Sequence, residues 1–119
     1  MARSSGDVRI RLERGPVVSQ RCTMAVNAWT RTKGLLGRSG LAADEGLWIQ
    51  PTNSIHMFFM RFAIDVVYAT ADGRVLKLVE GIGPWRVSMC RGAKVALELP
   101  VGAIGRSGVR VGDHLVIER

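Results

Sequence analysis

His56, Arg61 and Asp65 interrupt the longest apolar run of the sequence, residues 55–69. They are the first candidates for chemistry, because a charge buried in apolar surroundings persists only with partners. In one reading they form a pocket wall, where Asp65 pairs with Arg61 or orients His56 as the base of a hydrolytic enzyme. In the other, Asp65 pairs with Arg61 or accepts backbone amides at a bend, and His56 is a core or turn histidine. Asn53 and Ser54 stand just ahead of the run and, with His56, make a polar cluster at a loop rim. No serine lies in a G-x-S-x-G elbow, and Cys90 serves as a nucleophile beside His56 only if the fold brings the two together. His56 and His114 are the only histidines; Asp65 or Glu98 would have to complete a metal site, and nothing in the spacing demands one. Neither a metal nor another cofactor is expected.

Trp85 stands between Pro84 and Arg86, in a loop rather than on a helix stripe. It is the favoured aromatic contact for a ligand, the alternative being a loop anchor over one end of the core. Basic residues with interleaved aromatics suit single-stranded nucleic acid, but no aromatic motif of the RNA-binding sheet kind is present. Gly105, Gly108 and Gly112 do not follow a strand and open a helix as a phosphate loop would, so they read as turns.

The 119 residues suit one domain, and 47% hydrophobic with 23% charged residues is ordinary globular composition. Lys plus Arg is 17 against 10 for Asp plus Glu, a net charge of +7. Lys33, Lys77 and Lys94 are the only lysines, so arginine, the side chain suited to bidentate carboxylate or phosphate contact, carries the excess. That excess permits attraction to nucleic acid, acidic partners or anionic membrane surfaces, and equally a merely solvated basic surface. Cys22 and Cys90 lack CxxC spacing and read as free thiols. Residues 1–15 carry Arg3, Arg9, Arg11 and Arg14 without an apolar leader core, and no run is long enough to span a bilayer. A cytoplasmic protein is expected, unless a leader has been removed.

The elements that must position these residues follow from periodicity. Residues 1–6 read as a loose tail and 7–119 as one continuous domain. Val8, Ile10 and Leu12 alternate with Arg9, Arg11 and Glu13, the period of a half-buried strand, and a second strand spans 18–26. Asn27 can cap a helix over 27–37 with Ala28, Trp29, Thr32, Leu35 and Leu36 in one stripe, aiming Arg31 and Arg38 the same way. Strands are expected at 46–51, 64–69, 74–80, 94–99 and 115–118, with a bend at 61–63 and one helical turn within 102–108. Residues 85–91 continue a loop or form an edge strand. Asp72-Gly73 predicts a tight hairpin of type I′. About seven short, mainly antiparallel strands and one helix make a mostly β, α+β chain with a barrel-like or sandwich core.

The block Arg31-Thr-Lys-Gly-Leu-Leu-Gly-Arg-Ser-Gly-Leu41, followed by Gly46-Leu47-Trp48, resembles the domain of unknown function 192 family. The resemblance strengthens at Ile55-His-Met-Phe-Phe-Met-Arg-Phe-Ala-Ile-Asp65. It continues through Asp72-Gly-Arg-Val75, Pro84, Ala96-Leu-Glu-Leu-Pro100 with Gly102, and Gly108 with Gly112-Asp113. It implies a compact β-rich domain, often secreted in relatives that carry leaders, with no agreed reaction. Relatives commonly have Pro where this chain has Ala63, which supports the bend. Their recurring polar positions map onto Arg31, Arg38, Asp65 and Glu98, as structural residues, a site, or both.

The leading functional expectation is a binding module for a small anionic or polar ligand or an acidic partner segment. Arg31, Arg38, Asn53, His56, Arg61, Asp65, Trp85 and Glu98 are its candidate contacts. The alternatives are a nucleic-acid-associated basic protein and a hydrolytic enzyme using His56 and Asp65.

Overall fold

The computed structural model describes residues 7–26, 35 and 37–119. The expected tail over 1–6 and nearly all of the expected helix over 27–37, Arg31 included, lie outside the described residues. Those residues form β1 (Asp7–Leu12), β2 (Val17–Ala25), β3 (Glu45–Ile49), β4 (Ser54–His56), β5 (Ile64–Ala69), β6 (Val75–Ile82), β7 (Val87–Met89), β8 (Val95–Pro100), α1 (Ala103–Ser107) and β9 (Leu115–Glu118). The chain is mostly β, as expected. Two strands exceed the expected count, because the ribbon of β4 and β7 is separate from the main sheet.

Seven strands make one sheet in the order β6-β5-β8-β3-β2-β1-β9. Every pair in it is antiparallel except β2 with β3, which run parallel from Arg21–Glu45 to Ala25–Ile49. That one pair departs from hairpin logic because parallel neighbours need a long crossover, here residues 26–44. The sheet does not close into a barrel. Its two edges meet only at one corner, through the Arg74–His114 bridge, Val75 N–H to Asp113 O and Leu115 N–H to Gly73 O, both at 2.8 Å.

Side chains alternate across the sheet and feed two cores. Val67, Ala69, Leu97 and Leu99 join Val8, Ile10, Leu12, Trp48, Ile104 and Leu115 on one face. Val66, Tyr68 and Ala96 join Leu35, Leu47, Ile55 and Met57 on the other. Covering both faces explains why β5 and β8 are almost continuously apolar. It is also the layered arrangement of a sandwich.

The Asp72-Gly73 hairpin forms between β5 and β6 with a different turn from the one predicted. Gly73 N–H closes it on Thr70 O at 2.9 Å, and of the two residues only Gly73 has positive φ, 100°. Type I′ requires both, so the turn is not of that type. Glycine is needed at 73 for a second reason: a Cβ there would stand 2.5 Å from the Leu115 carbonyl oxygen.

Asp65 breaks the apolar pattern of β5 and is fully buried. Its Oδ1 accepts the Gly81 N–H of β6 at 2.9 Å, and its Oδ2 accepts the N–H groups of Gly102 and Ile104 at 3.1 Å each. Gly102 is the N-cap of α1 and has no side chain to bond the first turn; Asp65 supplies that acceptor from a neighbouring strand. The contacts anticipated to Arg61 or His56 are not made. Backbone amides from β6 and α1, rather than from the bend, satisfy the carboxylate instead.

Glu98 lies on the opposite face of β8, paired across the sheet with Leu47 and Val66. It is almost completely buried, and no cation among the described residues pairs with it. Burial alone pushes its carboxyl from 4.5 up to about 7.

These two carboxyls give separate tests by urea unfolding. Asp65→Ala removes the acceptor of three N–H groups, that of Ile104 buried and those of Gly81 and Gly102 partly so, and should cost about 3 kcal/mol, with Asp65→Asn, which keeps one acceptor oxygen, losing less. Unchanged stability in Asp65→Ala would show that the amides find other acceptors. For Glu98, the folded state holds its proton more tightly than the unfolded chain does. That stabilisation is complete below pH 4.5 and is lost as pH rises through about 7. Relative to Glu98→Gln, the wild type should therefore lose about 3 kcal/mol across this window. Parallel pH profiles for the two proteins would contradict the assignment.

Candidate functional site

β4 and β7 pair only with each other, in the register Ser54–Met89, Ile55–Ser88 and His56–Val87. Alternation sends Ile55 and Cys90 into the second core and turns Ser54, His56, Val87 and Met89 outward. Tyr68, fully buried on β5, donates its hydroxyl to Ser88 Oγ at 3.1 Å and fastens the ribbon to the sheet. Burial raises the Tyr68 hydroxyl above its ordinary value, which keeps it a neutral donor. Lys77 Nζ reaches over from β6 to the Met89 carbonyl at 2.9 Å.

Beyond His56 the chain turns at 58–59, just ahead of the bend expected at 61–63, which the chain makes at 61–62, and a second turn at Pro84–Trp85 returns it into β7. The Met57 carbonyl joins the two turns by accepting N–H groups from Met60 at 3.3 Å and Trp85 at 2.7 Å. Phe59 and Trp85 have φ of 64° and 67°, the left-handed region. Side chains rarely adopt it, at a cost of about 1–2 kcal/mol per residue. These strained positions hold two aromatic side chains that are 73% and 60% exposed.

The rings form one chain across the tip. His56 lies 5.2 Å from Phe58, Phe58 lies 6.1 Å from Trp85, and Phe59 meets Trp85 edge-on at 4.9 Å. Val87 and Met89 extend the exposed apolar surface along the ribbon at 67% and 64%. An open depression of about 430 Å³ runs over it, lined by Ser54, Ile55, His56, Val87, Ser88 and Met89. Scattered exposed apolar side chains are ordinary; here they are contiguous, which makes this face the candidate site.

Charge is distributed unevenly over the molecule. Arg9 and Arg11 pair with Glu118, Arg14 with Asp113, Arg21 with Asp44, Arg38 with Glu45, and His114 approaches Asp72. All of these lie on β1, β2, β3, β9 and the adjoining turns, except Asp72, which stands in the β5–β6 turn. Residues 52–64 and 81–97, the two segments that include the ribbon and its aromatic tip, contain no Asp or Glu. Their Arg61, Arg86, Arg91 and Lys94 are exposed, and none pairs with a carboxylate among the described residues.

Of the candidate contacts, His56 and Trp85 meet on this face, with exposed Asn53 and Arg61 on the segments that build it. Asn53 also accepts the Cys90 N–H through its carbonyl at 2.8 Å. Arg38 bonds both Glu45 carboxylate oxygens and does not join them. Asp65 and Glu98 are inside the protein, and Arg31 is outside the described residues. The hydrolytic pair of His56 and Asp65 is not assembled, since Asp65 is buried and bonded to amides while His56 is exposed on β4. Cys90 and His56 project from opposite sides of the ribbon. No three His, Cys, Asp or Glu side chains among the described residues converge as metal ligands.

Sequence reading missed Phe58, Phe59, Val87 and Met89. Phe58 and Phe59 sit in an apolar run that reads as core, and the signal against that reading is the bend that follows them.

Comparison with known proteins agrees with this architecture. Residues 10–117 match the model of the domain of unknown function 192 family, described as "Uncharacterized ACR". A UPF0127 protein of Thermococcus sibiricus is 40% identical over 63 residues, 52% of this chain and 40% of that protein. A UPF0127 protein of Pyrococcus furiosus is 41% identical over 63 residues, 52% of this chain and 53% of that protein. The match spans about half the length of these relatives or less. Among solved structures, a provisionally named transcription regulator from Sinorhizobium meliloti superposes with a TM-score of 0.83 at 25% identity, covering 98% of both chains. A protein of unknown function from Novosphingobium aromaticivorans superposes with a TM-score of 0.78 at 23% identity, covering 92% of this chain and 83% of that one. With nearly the whole described sheet inside the matched residues, the chain belongs to the domain of unknown function 192 family.

Proposed function

We propose that this protein is a binding module whose binding face is the β4–β7 ribbon with its aromatic tip, and that it takes an anionic or polar ligand or an acidic partner segment. One observation carries this reading: exposed aromatic side chains held in left-handed backbone conformations share two segments with four cations that have no carboxylate partner among the described residues. Folding alone gives no reason to keep large apolar side chains in solvent at strained positions. Contact with a ligand does, because it buries them, and unneutralised arginines favour a negative one. Elsewhere Asp44, Glu45, Asp113 and Glu118 pair with arginines, and the described residues outside these two segments carry ten Lys and Arg against ten Asp and Glu, so the rest of the described chain is closer to neutral.

The name of the structural neighbour from Sinorhizobium meliloti adds nucleic acid to the anionic ligands to be tried. Its signature is a log affinity that falls linearly with log salt, with a slope set by the phosphates contacted.

Amide resonances of isotopically labelled protein, titrated with anionic metabolites, acidic glycans and short oligonucleotides, test the reading. Shifts are expected at His56, Phe59, Trp85 and Arg86, and Phe59→Ala/Trp85→Ala should abolish them while keeping the spectrum of the folded sheet. Shifts confined to the β1 and β9 side, or none with any anion, would refute it.

A further inference from the structure

We infer that the occupant of this face is an extended segment of another protein that carries aliphatic or aromatic side chains among acidic ones. This rests on the reading of the ribbon as the binding face and goes further by choosing among anionic ligands.

Shape points to a peptide. The surface is a strip: the paired positions Ser54–Met89 and His56–Val87 lead along the ribbon to Phe59 and Trp85 at its tip. At about 3.3 Å per residue, three strand positions and the turn match four or five residues of extended chain. The depression over the strip is open along its length rather than a closed pocket for a compact metabolite. Met89 is the kind of flexible, polarisable side chain that adapts to varied partners.

The charges decide between occupants. A second copy would place the same unpaired arginines against each other, since a two-fold contact is self-complementary, and the chain is already at +7. Single-stranded nucleic acid would use parallel ring faces as platforms, whereas Phe59 packs edge-on against Trp85, and Val87 and Met89 offer no stacking surface. A lipid interface would cover the aromatic tip but not the strip lined by Ser54, His56 and Ser88 behind it. A peptide of mixed apolar and acidic character satisfies both the strip and the flanking Arg61, Arg86 and Arg91.

Selection of a random-peptide phage library on the immobilised protein tests this. Enrichment of sequences combining Asp or Glu with aliphatic or aromatic residues is expected. The synthetic versions should lose affinity about tenfold or more in Phe59→Ala/Trp85→Ala. In Arg86→Glu/Arg91→Glu the preference for acidic residues should disappear, with circular dichroism confirming that both variants fold. No enrichment, or enrichment indifferent to charge and to these substitutions, overturns the inference. If phosphatidylglycerol vesicles or oligothymidylate then shift the ribbon resonances, the binding face stands and only its peptide occupant falls. If neither does, nor any anion tried above, both fall.

Discussion

The carboxylate of Asp65 is where three separate stretches of chain meet. It takes amides from the end of β6 and from the first turn of α1 while sitting near the start of β5, the strand next to the sheet's β6 edge. Without it, the buried N–H of Ile104 and the partly buried N–H groups of Gly81 and Gly102 would lose their acceptor, a cost that burial of the surrounding aliphatic side chains would have to offset. With it, the end of β6 and the beginning of α1 are held against the same strand. The loop that follows β6 leads directly into Trp85 and the ribbon, so the position of the exposed face is referred back to this interaction.

The ribbon itself is held from below. Ile55, Met57 and Cys90 enter the second core, Tyr68 bonds Ser88, and the Met57 carbonyl ties both turns of the tip together. A rigid base of this kind lets the backbone at Phe59 and Trp85 stay in a conformation that an isolated loop would relax. It also limits the ordering entropy that binding would have to offset, which is what a pre-formed contact surface contributes to affinity.

Glu98 adds a second kind of constraint. A buried carboxyl pushed up to about 7 leaves the second core, on which the ribbon rests, sensitive to pH near neutrality. Cys22 shows the same desolvation without that consequence, since a thiol pushed up to about 12 remains protonated throughout the physiological range.

Much of the fold is legible in the residues alone. Period-two alternation placed β1 and β8, the apolar run ending in Asp72-Gly73 placed the β5–β6 hairpin, and proline with glycine marked where strands stop, because all of these depend on neighbours along the chain. The family resemblance singled out Asp65 and Glu98, and the apolar run drew attention to His56 and Arg61. What alternation could not supply was partnership across the chain: that β2 and β3 lie parallel, that Asp65 serves amides of β6 and α1 rather than Arg61 or His56, and that Arg38 is occupied by Glu45. Nor could hydrophobicity reveal that Phe58 and Phe59 face solvent. Local sequence reports how apolar a segment is, whereas which apolar side chains are left uncovered depends on how the ribbon lands on the sheet, and only the tertiary structure decides that.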